Sequence, residues 1–295
     1  MSNYVQMRSG VHGDRGRRDV HAEGASVIRE PYWQTDRATL YHGDCLDVLR
    51  TLPNASVDAV VTDPPYSSGG MFRGDRTHST RDKYQSSDVR TELACFSGDN
   101  RDQRSFGYWC TLWLSECRRV CKPGGMLCVF TDWRQLPTVS DMVQAGGWVW
   151  RGVTPWDKVQ ARPVPWRFRA QAEYMLWATN GPRDATPTDD AVYGRGIITV
   201  NTVHSGERDH STQKPVELME EVIRVTCRPG GVILDPFSGS GTTGVAALRC
   251  GMRFVGVELE AHFAEVSARR LAEVSGMPDF AKATEDGPGL FGGVA

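Results

Sequence analysis

Short apolar runs alternate with amphipathic stretches along the chain between residues 39 and 274. Runs with the length and composition of buried strands occupy 39–44, 57–61, 126–130, 148–156, 172–178, 231–235 and 253–258. Stretches with apolar residues at helical spacing occupy 45–52, 109–121, 136–145, 216–226, 241–250 and 263–274. Strands that alternate with helices in this way predict an α/β protein with a mostly parallel sheet.

Polar segments that lack an apolar period predict how the chain is divided. Residues 1–30 are rich in Gly, Arg, Asp and His, which predicts a disordered arm, and we expect 276–295 to be a flexible tail. The domain between them, 31–275, contains three polar insertions at 67–105, 158–170 and 181–210. Long insertions inside a compact domain are usually functional loops.

The composition is that of an ordinary globular enzyme, with 295 residues, 40% hydrophobic and 24% charged. A net charge of −2 means that a nucleic acid would have to be bound by local basic patches. The eight cysteines include no C-x-x-C pair, and we see no secretory leader or membrane-length run, so we expect reduced core thiols and a cytoplasmic protein. His204 and His210 have no cysteine partners at metal spacing, and we assign no metal.

The stretch Asp63-Pro64-Pro65-Tyr66 directly follows the apolar run at 57–61. The two prolines remove backbone donors and hold the chain extended, so a carboxylate, bare carbonyls and an aromatic ring stand at the carboxyl end of a strand. A flat heterocycle could stack on Tyr66 while its amino group donates to Asp63 and to the Pro64 carbonyl, both of which only accept. The alternative interpretation is a strand end with a Pro-Pro turn and a surface tyrosine.

A second pattern begins in the strand predicted at 231–235. This strand leads into a glycine-rich turn, which carries Gly239 and Gly241 and opens a helix. The next strand ends in Glu258, as a ribose-binding carboxylate does in nucleotide-binding folds. The order of strand, glycine turn, helix, strand and acid therefore predicts a nucleotide-like ligand.

Two further features have both a structural and a functional interpretation. Asp44 stands between a strand and a helix, where an aspartate can simply cap the helix. The insertion at 158–170 holds four basic residues, no acid, and the aromatic residues Trp166 and Phe168. Such a loop favours contact with nucleic-acid backbone and bases, and a plain surface loop is the alternative. The basic residues are Lys158, Arg162, Arg167 and Arg169.

Over about residues 39–274 the chain resembles the β-class of S-adenosylmethionine-dependent DNA amino-methyltransferases. The resemblance rests on three segments: 63–66, the run Thr212-Gln213-Lys214-Pro215, and 235–242. It also rests on their order, since in this class the catalytic tetrapeptide precedes the cofactor-binding turn. The resemblance implies a Rossmann-like methyltransferase sheet, mostly parallel with one antiparallel strand, in this circularly permuted motif order.

The resemblance also implies a role for each matching residue. Residues 63–66 match the catalytic motif, Asp44 the acid near the cofactor adenine, and Glu258 the acid on the ribose. Thr212 and Lys214 match the segment that closes over the methionine carboxylate of S-adenosylmethionine. The residues matching the turn around its methionine part are Asp235, Phe237, Ser238, Gly239, Gly241 and Thr242.

The implied reaction is methyl transfer to the exocyclic N6 of an adenine flipped out of double-stranded DNA. Asp63 favours adenine, because family members with serine at that position mostly act on cytosine N4, which stays the alternative. Methylation at cytosine C5 is disfavoured because the chain has no Pro-Cys dipeptide. A methyltransferase acting on RNA or a protein amide, and a nucleotide-binding protein without catalysis, also stay open. Self-association is an expectation from the family alone.

Overall fold

The computed structural model describes residues 30–67, 101–161, 163–184, 186–203 and 213–276. Within these ranges the chain forms nine strands and six helices. The strands are β1 (Trp33–Gln34), β2 (Ala38–His42), β3 (Val57–Thr62), β4 (Cys121–Thr131), β5 (Val149–Asp157), β6 (Ala172–Thr179), β7 (Ile198–Thr199), β8 (Val232–Asp235) and β9 (Arg253–Glu258). The helices are α1 (Cys45–Thr51), α2 (Gln103–Val120), α3 (Leu136–Ala145), α4 (Val216–Thr226), α5 (Thr242–Arg249) and α6 (Ala261–Val274).

All nine strands form one sheet in the order β1-β2-β9-β8-β3-β4-β6-β5-β7. From β2 to β4 every neighbouring pair is parallel, and β6 runs antiparallel to both β4 and β5. The mostly parallel sheet with a reversed strand is therefore confirmed. The two-residue β1, which pairs antiparallel with β2 at the sheet edge, adds a second reversed strand that the pattern did not predict.

The central strands are buried along nearly their whole length because helices cover both faces of the sheet. On one face α4, α5 and α6 pack against the sheet through residues such as Leu218, Ala246 and Leu271. On the other face α1, α2 and α3 pack through residues such as Leu49 and Trp113. This three-layer packing explains why the strand sequences read as continuous apolar runs rather than as alternating ones.

Two boundaries differ from the predictions. We expected residues 122–125 to end the second helix, with a strand from 126, but β4 already begins at Cys121. Cys121 pairs with Val57, and the Asn180 side-chain amide donates to the Cys121 carbonyl at 2.8 Å, so contacts distant in sequence extend the strand. The segment 181–203, expected to be irregular, contains β7, which pairs with β5.

Several predictions apply to residues that the structure does not describe. These residues are the predicted disordered arm (1–29), most of the insertion at 67–105 (68–100), Arg162 of the basic insertion, the end of the insertion at 181–210 and its continuation (204–212), and the predicted flexible tail (277–295). Among the described residues, seven cysteines are free and five of these are buried. The same ranges contain no helix long and apolar enough to cross a membrane. They also contain no group of three or more His, Cys, Asp or Glu side chains placed to hold a metal ion.

Candidate active site

The candidate site is a cavity of about 600 Å³ at one edge of the sheet. Strands β9, β8 and β3 are adjacent and parallel, so their carboxyl ends meet at this edge, where α/β folds bind ligands. Asp235 and Glu258 are the last residues of β8 and β9, Asp63 directly follows β3, and all three line the cavity. The two landmarks of the sequence are therefore parts of one site.

The glycine turn after β8 is built around the buried carboxylate of Asp235. Asp235 Oδ1 accepts from the Thr62 hydroxyl at 2.7 Å and from the Phe237 backbone N–H at 3.0 Å, which ties the turn to β3. Burial raises the pKa of Asp235 to about 6, although these hydrogen bonds oppose the shift.

Two glycines of this turn have left-handed backbones, with φ of 52° at Gly239 and 82° at Gly241. A Cβ at Gly241 would lie 2.5 Å from the Ser267 hydroxyl, so that position has no room for a side chain. A Cβ at Gly239 would meet nothing within 4 Å, because that backbone faces the open cavity. A ligand can therefore approach the main chain at Gly239 closely.

Glu258 ends β9 and connects that strand to the glycine turn. Its carboxylate accepts from the Gly239 N–H at 2.7 Å and from the Glu260 N–H at 2.8 Å. Burial raises its pKa to about 7, which the two N–H donors partly oppose. An acceptor fixed in this way at a cavity wall suits ribose hydroxyls.

Asp44 has the capping position that its sequence context predicts and also faces the cavity. Its side chain accepts from the Leu46 N–H at 2.8 Å at the start of α1, and it is solvent-exposed. It lines the same cavity as Glu258. The two interpretations of Asp44 are therefore compatible in this geometry.

In the aromatic wall beside the glycine turn, Phe237 was predicted as a site residue, whereas the tryptophans were not. Phe237 packs against Trp109 and Trp113 of α2, with ring centroids 5.3 Å and 5.1 Å apart. The Arg101 guanidinium stacks over Trp109 at 4.8 Å, and both line the cavity. In the sequence Trp109 was only one member of an apolar helical stripe, which gave no signal for a cavity wall.

The tetrapeptide after β3 lies in a charged cluster rather than alone. Asp63 Oδ1 accepts from the Tyr66 hydroxyl at 2.5 Å, and Asp63 Oδ2 accepts from Lys214 Nζ at 2.6 Å. Lys214 is buried and also lies 5.4–5.8 Å from the ring centroids of Tyr66, Phe130 and Trp156. Its ammonium thus contacts the tetrapeptide that we predicted to be catalytic, and its expected contact with the methionine carboxylate also stays a prediction.

Glu173, which sequence reasoning missed, completes this cluster. Its carboxylate lies 3.0 Å from Lys214 Nζ, and 3.3 Å from both Lys158 Nζ and the Tyr66 hydroxyl. Burial would raise the pKa of Glu173, but the two ammonium groups lower it overall. Burial raises the pKa of Asp63 despite Lys214, and for Lys214 the two carboxylates outweigh burial and raise its pKa.

The basic insertion begins at the rim of the cavity. Lys158 lines the cavity, and the Lys158 N–H donates to the Gln171 carbonyl at 3.0 Å, which closes the loop. Arg167 and Arg169 lie on its exposed part together with the fully exposed side chains of Trp166 and Phe168. Arg162 and Thr212, which we also predicted to bind ligands, lie outside the described residues.

Three described residues of the predicted site set do not line the cavity, namely Gly241, which is the N-cap of α5, and Arg167 and Arg169. The tetrapeptide, Asp44, Lys158, Lys214 and Glu258 all line it, as do Asp235, Phe237, Ser238, Gly239 and Thr242. Exposed Arg167 and Arg169 lie on the loop beyond its rim.

A mostly parallel sheet with a glycine turn after β8, an acid at the end of β9 and the tetrapeptide 63–66 after β3 fits an α/β methyltransferase fold. Residues 57–269 match the family model described as DNA methylase, of the N6/N4 type. The match covers more than half of the 295 residues, and the chain therefore belongs to this family of DNA methyltransferases.

Individual relatives agree with the family assignment. The chain is 29% identical over 267 residues to the type II methyltransferase M.HinfI of Haemophilus influenzae, covering 82% of this chain and 70% of that protein. The solved M1.HpyAVI–SAM complex is 24% identical with a TM-score of 0.58, covering 79% of this chain and 98% of that one. The cytosine-N4-specific PvuII methyltransferase is 17% identical with a TM-score of 0.64, covering 87% and 95%.

Proposed function

We propose that this DNA methyltransferase transfers a methyl group from S-adenosylmethionine to the exocyclic N6 of adenine. The observation that carries the proposal is the shared cavity, in which Asp63 and the Pro64 segment lie on the same wall as the glycine turn and Glu258. The hydrogen-bond acceptors for the target amine and the binding residues for a nucleoside cofactor therefore line the same cavity. Direct transfer requires this proximity of donor and acceptor.

The residues present fit the proposed cofactor. The open backbone at Gly239 leaves room for the methionine part, and the Glu258 carboxylate is placed for ribose hydroxyls. Asp44 and the aromatic wall of Phe237 and Trp109 line the remaining space. When bound, S-adenosylmethionine supplies an electrophilic methyl group on a sulfonium.

The catalytic motif contributes orientation and charge. Asp63 accepts one N–H of the target amine and the Pro64 carbonyl accepts the other, which directs the nitrogen lone pair towards the methyl group. The Tyr66 ring stacks on the flipped base and recovers part of the unstacking cost. As the N–CH3 bond forms and the S–CH3 bond breaks, the sulfur keeps the electron pair. The amine proton passes to an Asp63 carboxylate oxygen, whose pKa burial raises, and then to water.

Cytosine N4 methylation is the second candidate, since the same acceptors would orient the exocyclic amine of cytosine. The matching family includes both types, and the PvuII enzyme acts on cytosine N4. An aspartate at the first position of the tetrapeptide favours adenine. Only the identity of the methylated nucleoside separates the two.

The DNA substrate is proposed to be double-stranded, with the insertion at 158–170 on its backbone. Lys158 at the cavity rim and exposed Arg167 and Arg169 provide the local positive charge that a net charge of −2 does not. The insertions at 67–105 and 181–210 would add further contacts to a catalytic domain spanning 31–275.

The chain is also proposed to act in the cytoplasm and to self-associate. Sedimentation that shows only a 32.7 kDa species with DNA bound would refute self-association.

The test is methyl transfer from labelled S-adenosylmethionine to unmethylated genomic DNA, followed by mass analysis of the nucleosides, with Asp63→Ala in parallel. N6-methyl-2′-deoxyadenosine from the wild type and none from the variant is the expected result. N4-methyl-2′-deoxycytidine would overturn the choice of base. Cofactor binding without any DNA methylation would overturn the function and direct attention to an RNA or protein amide.

A further inference from the structure

Asp63, the proposed hydrogen-bond acceptor for the target amine, has a cation beside it in the free protein. Lys214 Nζ lies 2.6 Å from Asp63 Oδ2, and only 6% of the lysine side chain is exposed. Positive charge develops on the target amine as the methyl group arrives. A buried ammonium beside Asp63 would oppose that charge unless something neutralises it.

The Glu173 carboxylate is placed to neutralise the Lys214 ammonium. It lies 3.0 Å from Lys214 Nζ, and the Glu173 side chain is 21% exposed. Two carboxylates around one ammonium leave one net negative charge to face the amine. Without Glu173, Asp63 and Lys214 would cancel and the motif would offer no net charge.

Lys158 does not cancel this net negative charge when DNA is bound. It lies 3.3 Å from the other Glu173 oxygen at the cavity rim. A DNA phosphate at the rim would pair with Lys158, as such lysines commonly do, and leave Glu173 with Lys214. The Tyr66 hydroxyl, 2.5 Å from Asp63 and 3.3 Å from Glu173, links the two carboxylates.

We propose that Glu173 is a positioning residue for methyl transfer, acting through Lys214. It holds the ammonium in place and supplies the negative charge that leaves Asp63 effective towards the target amine. The inference rests on the proposed function, because the amine is the methyl acceptor of that reaction.

The test compares Glu173→Gln, Glu173→Asp and Glu116→Gln in the complete protein. Glu116 is a matched control, because it pairs with Arg119 at 2.8 Å and is 27% exposed, on α2 away from the cavity. We expect Glu173→Gln to lower kcat by about 10–100-fold, the usual effect of losing such a supporting partner, with the KM for S-adenosylmethionine changed less than about 3-fold. Glu173→Asp, which keeps the charge, should recover part of kcat, and Glu116→Gln should match the wild type.

A double-mutant cycle with Lys214→Met separates charge balance from simple structural support. With the ammonium gone, Glu173→Gln should cost kcat less than about 3-fold, because no charge is left to neutralise. This double variant also serves if Glu173→Gln alone fails to fold, since the buried Lys214 ammonium that would lose one of its two carboxylate partners is absent from it.

Equal losses from Glu173→Gln in both backgrounds would overturn the inference, as would a raised KM for the cofactor with unchanged kcat. An inactive wild type would instead refute the proposed function, so the two failures are distinguishable.

Discussion

Replacing Glu258 by glutamine should stabilise the free protein at pH 8 and weaken its hold on S-adenosylmethionine. Burial moves the pKa of Glu258 from its ordinary 4.5 to about 7, so keeping it ionised at pH 8 costs about 3 kcal/mol of unfolding free energy. Glutamine is neutral and still accepts from the Gly239 N–H, but its NH2 would face the Glu260 N–H and lose about 1 kcal/mol. The expected gain is therefore about 1–2 kcal/mol.

The sign of the pH dependence follows from the raised pKa. Between about pH 7 and pH 4.5 the folded protein binds a proton at Glu258 that the unfolded chain does not, so stability rises as the pH falls through this window. Below it the wild-type side chain is neutral in both states. The advantage of Glu258→Gln should therefore be largest at pH 8 and shrink as the pH approaches 5.

The assay is thermal unfolding of the cofactor-free protein at pH 8 and pH 5.5, with calorimetric titration of S-adenosylmethionine at pH 8. We expect a Tm gain of about 2–4 °C per kcal/mol at pH 8 and a loss of cofactor affinity of about 10–100-fold, because a charged acceptor for the ribose is removed. Glu265→Gln is the control, since Glu265 is an exposed carboxylate on α6 paired with Arg269. A variant no more stable than the wild type at pH 8, or equally favoured at both pH values, would refute the reasoning.

Asp63→Asn keeps the shape of the acceptor but removes its charge, so methyl transfer should fall about 10²–10³-fold while calorimetry shows cofactor affinity within about 3-fold of wild type. Replacing exposed Trp166 and Phe168 together by alanine should slow methylation of double-stranded genomic DNA about 10-fold and of heat-denatured DNA less than about 3-fold, because aromatic wedges assist base flipping; equal loss on both substrates would contradict this role. Lys214→Met leaves Asp63 without a cation and Glu173 with Lys158 alone, and because each carboxylate is about a fifth exposed we expect a loss of only about 1–3 kcal/mol in a urea titration. Gly241 has a φ of 82°, and a Cβ at this position would lie 2.5 Å from the Ser267 hydroxyl. Thermal unfolding of Gly241→Ala should therefore show that the free energy of unfolding falls by more than about 1 kcal/mol.

Local patterns were sufficient to predict most of the fold and the two motif-bearing strands. Buried strands have apolar, β-branched sequences, and the proline pair after β3 and the glycines after β8 mark their ends chemically. Because both strands are parallel, their direction alone predicts that the two motifs lie at the same edge of the sheet. That β3 and β8 are neighbours, which brings Asp63 near Asp235, is a finding of the structure, and at the sequence level only the family resemblance joined the two motifs.

Glu173 could not be found in this way. It opens β6, and the start of a strand normally lies at the edge of the sheet away from the ligand. Because β6 is reversed, its first residues reach the cavity edge, where Glu173 pairs in register with Trp156 of β5. The sequence signal was only an acid at the beginning of an apolar strand, and its meaning depends on the position of β6 between β4 and β5.

The buried acids of this site affect both the stability of the free protein and its binding of S-adenosylmethionine. Asp235 and Glu258 both have pKa values raised by burial, so above about pH 7 the free protein keeps their negative charges at the expense of stability. S-adenosylmethionine carries a positive sulfonium, and carboxylates on the same cavity wall complement it electrostatically. Protonation of either acid removes part of the negative charge that complements the sulfonium. Because burial raises these pKa values, lowering the pH from about 7 to 5 should stabilise the free protein and at the same time weaken cofactor binding.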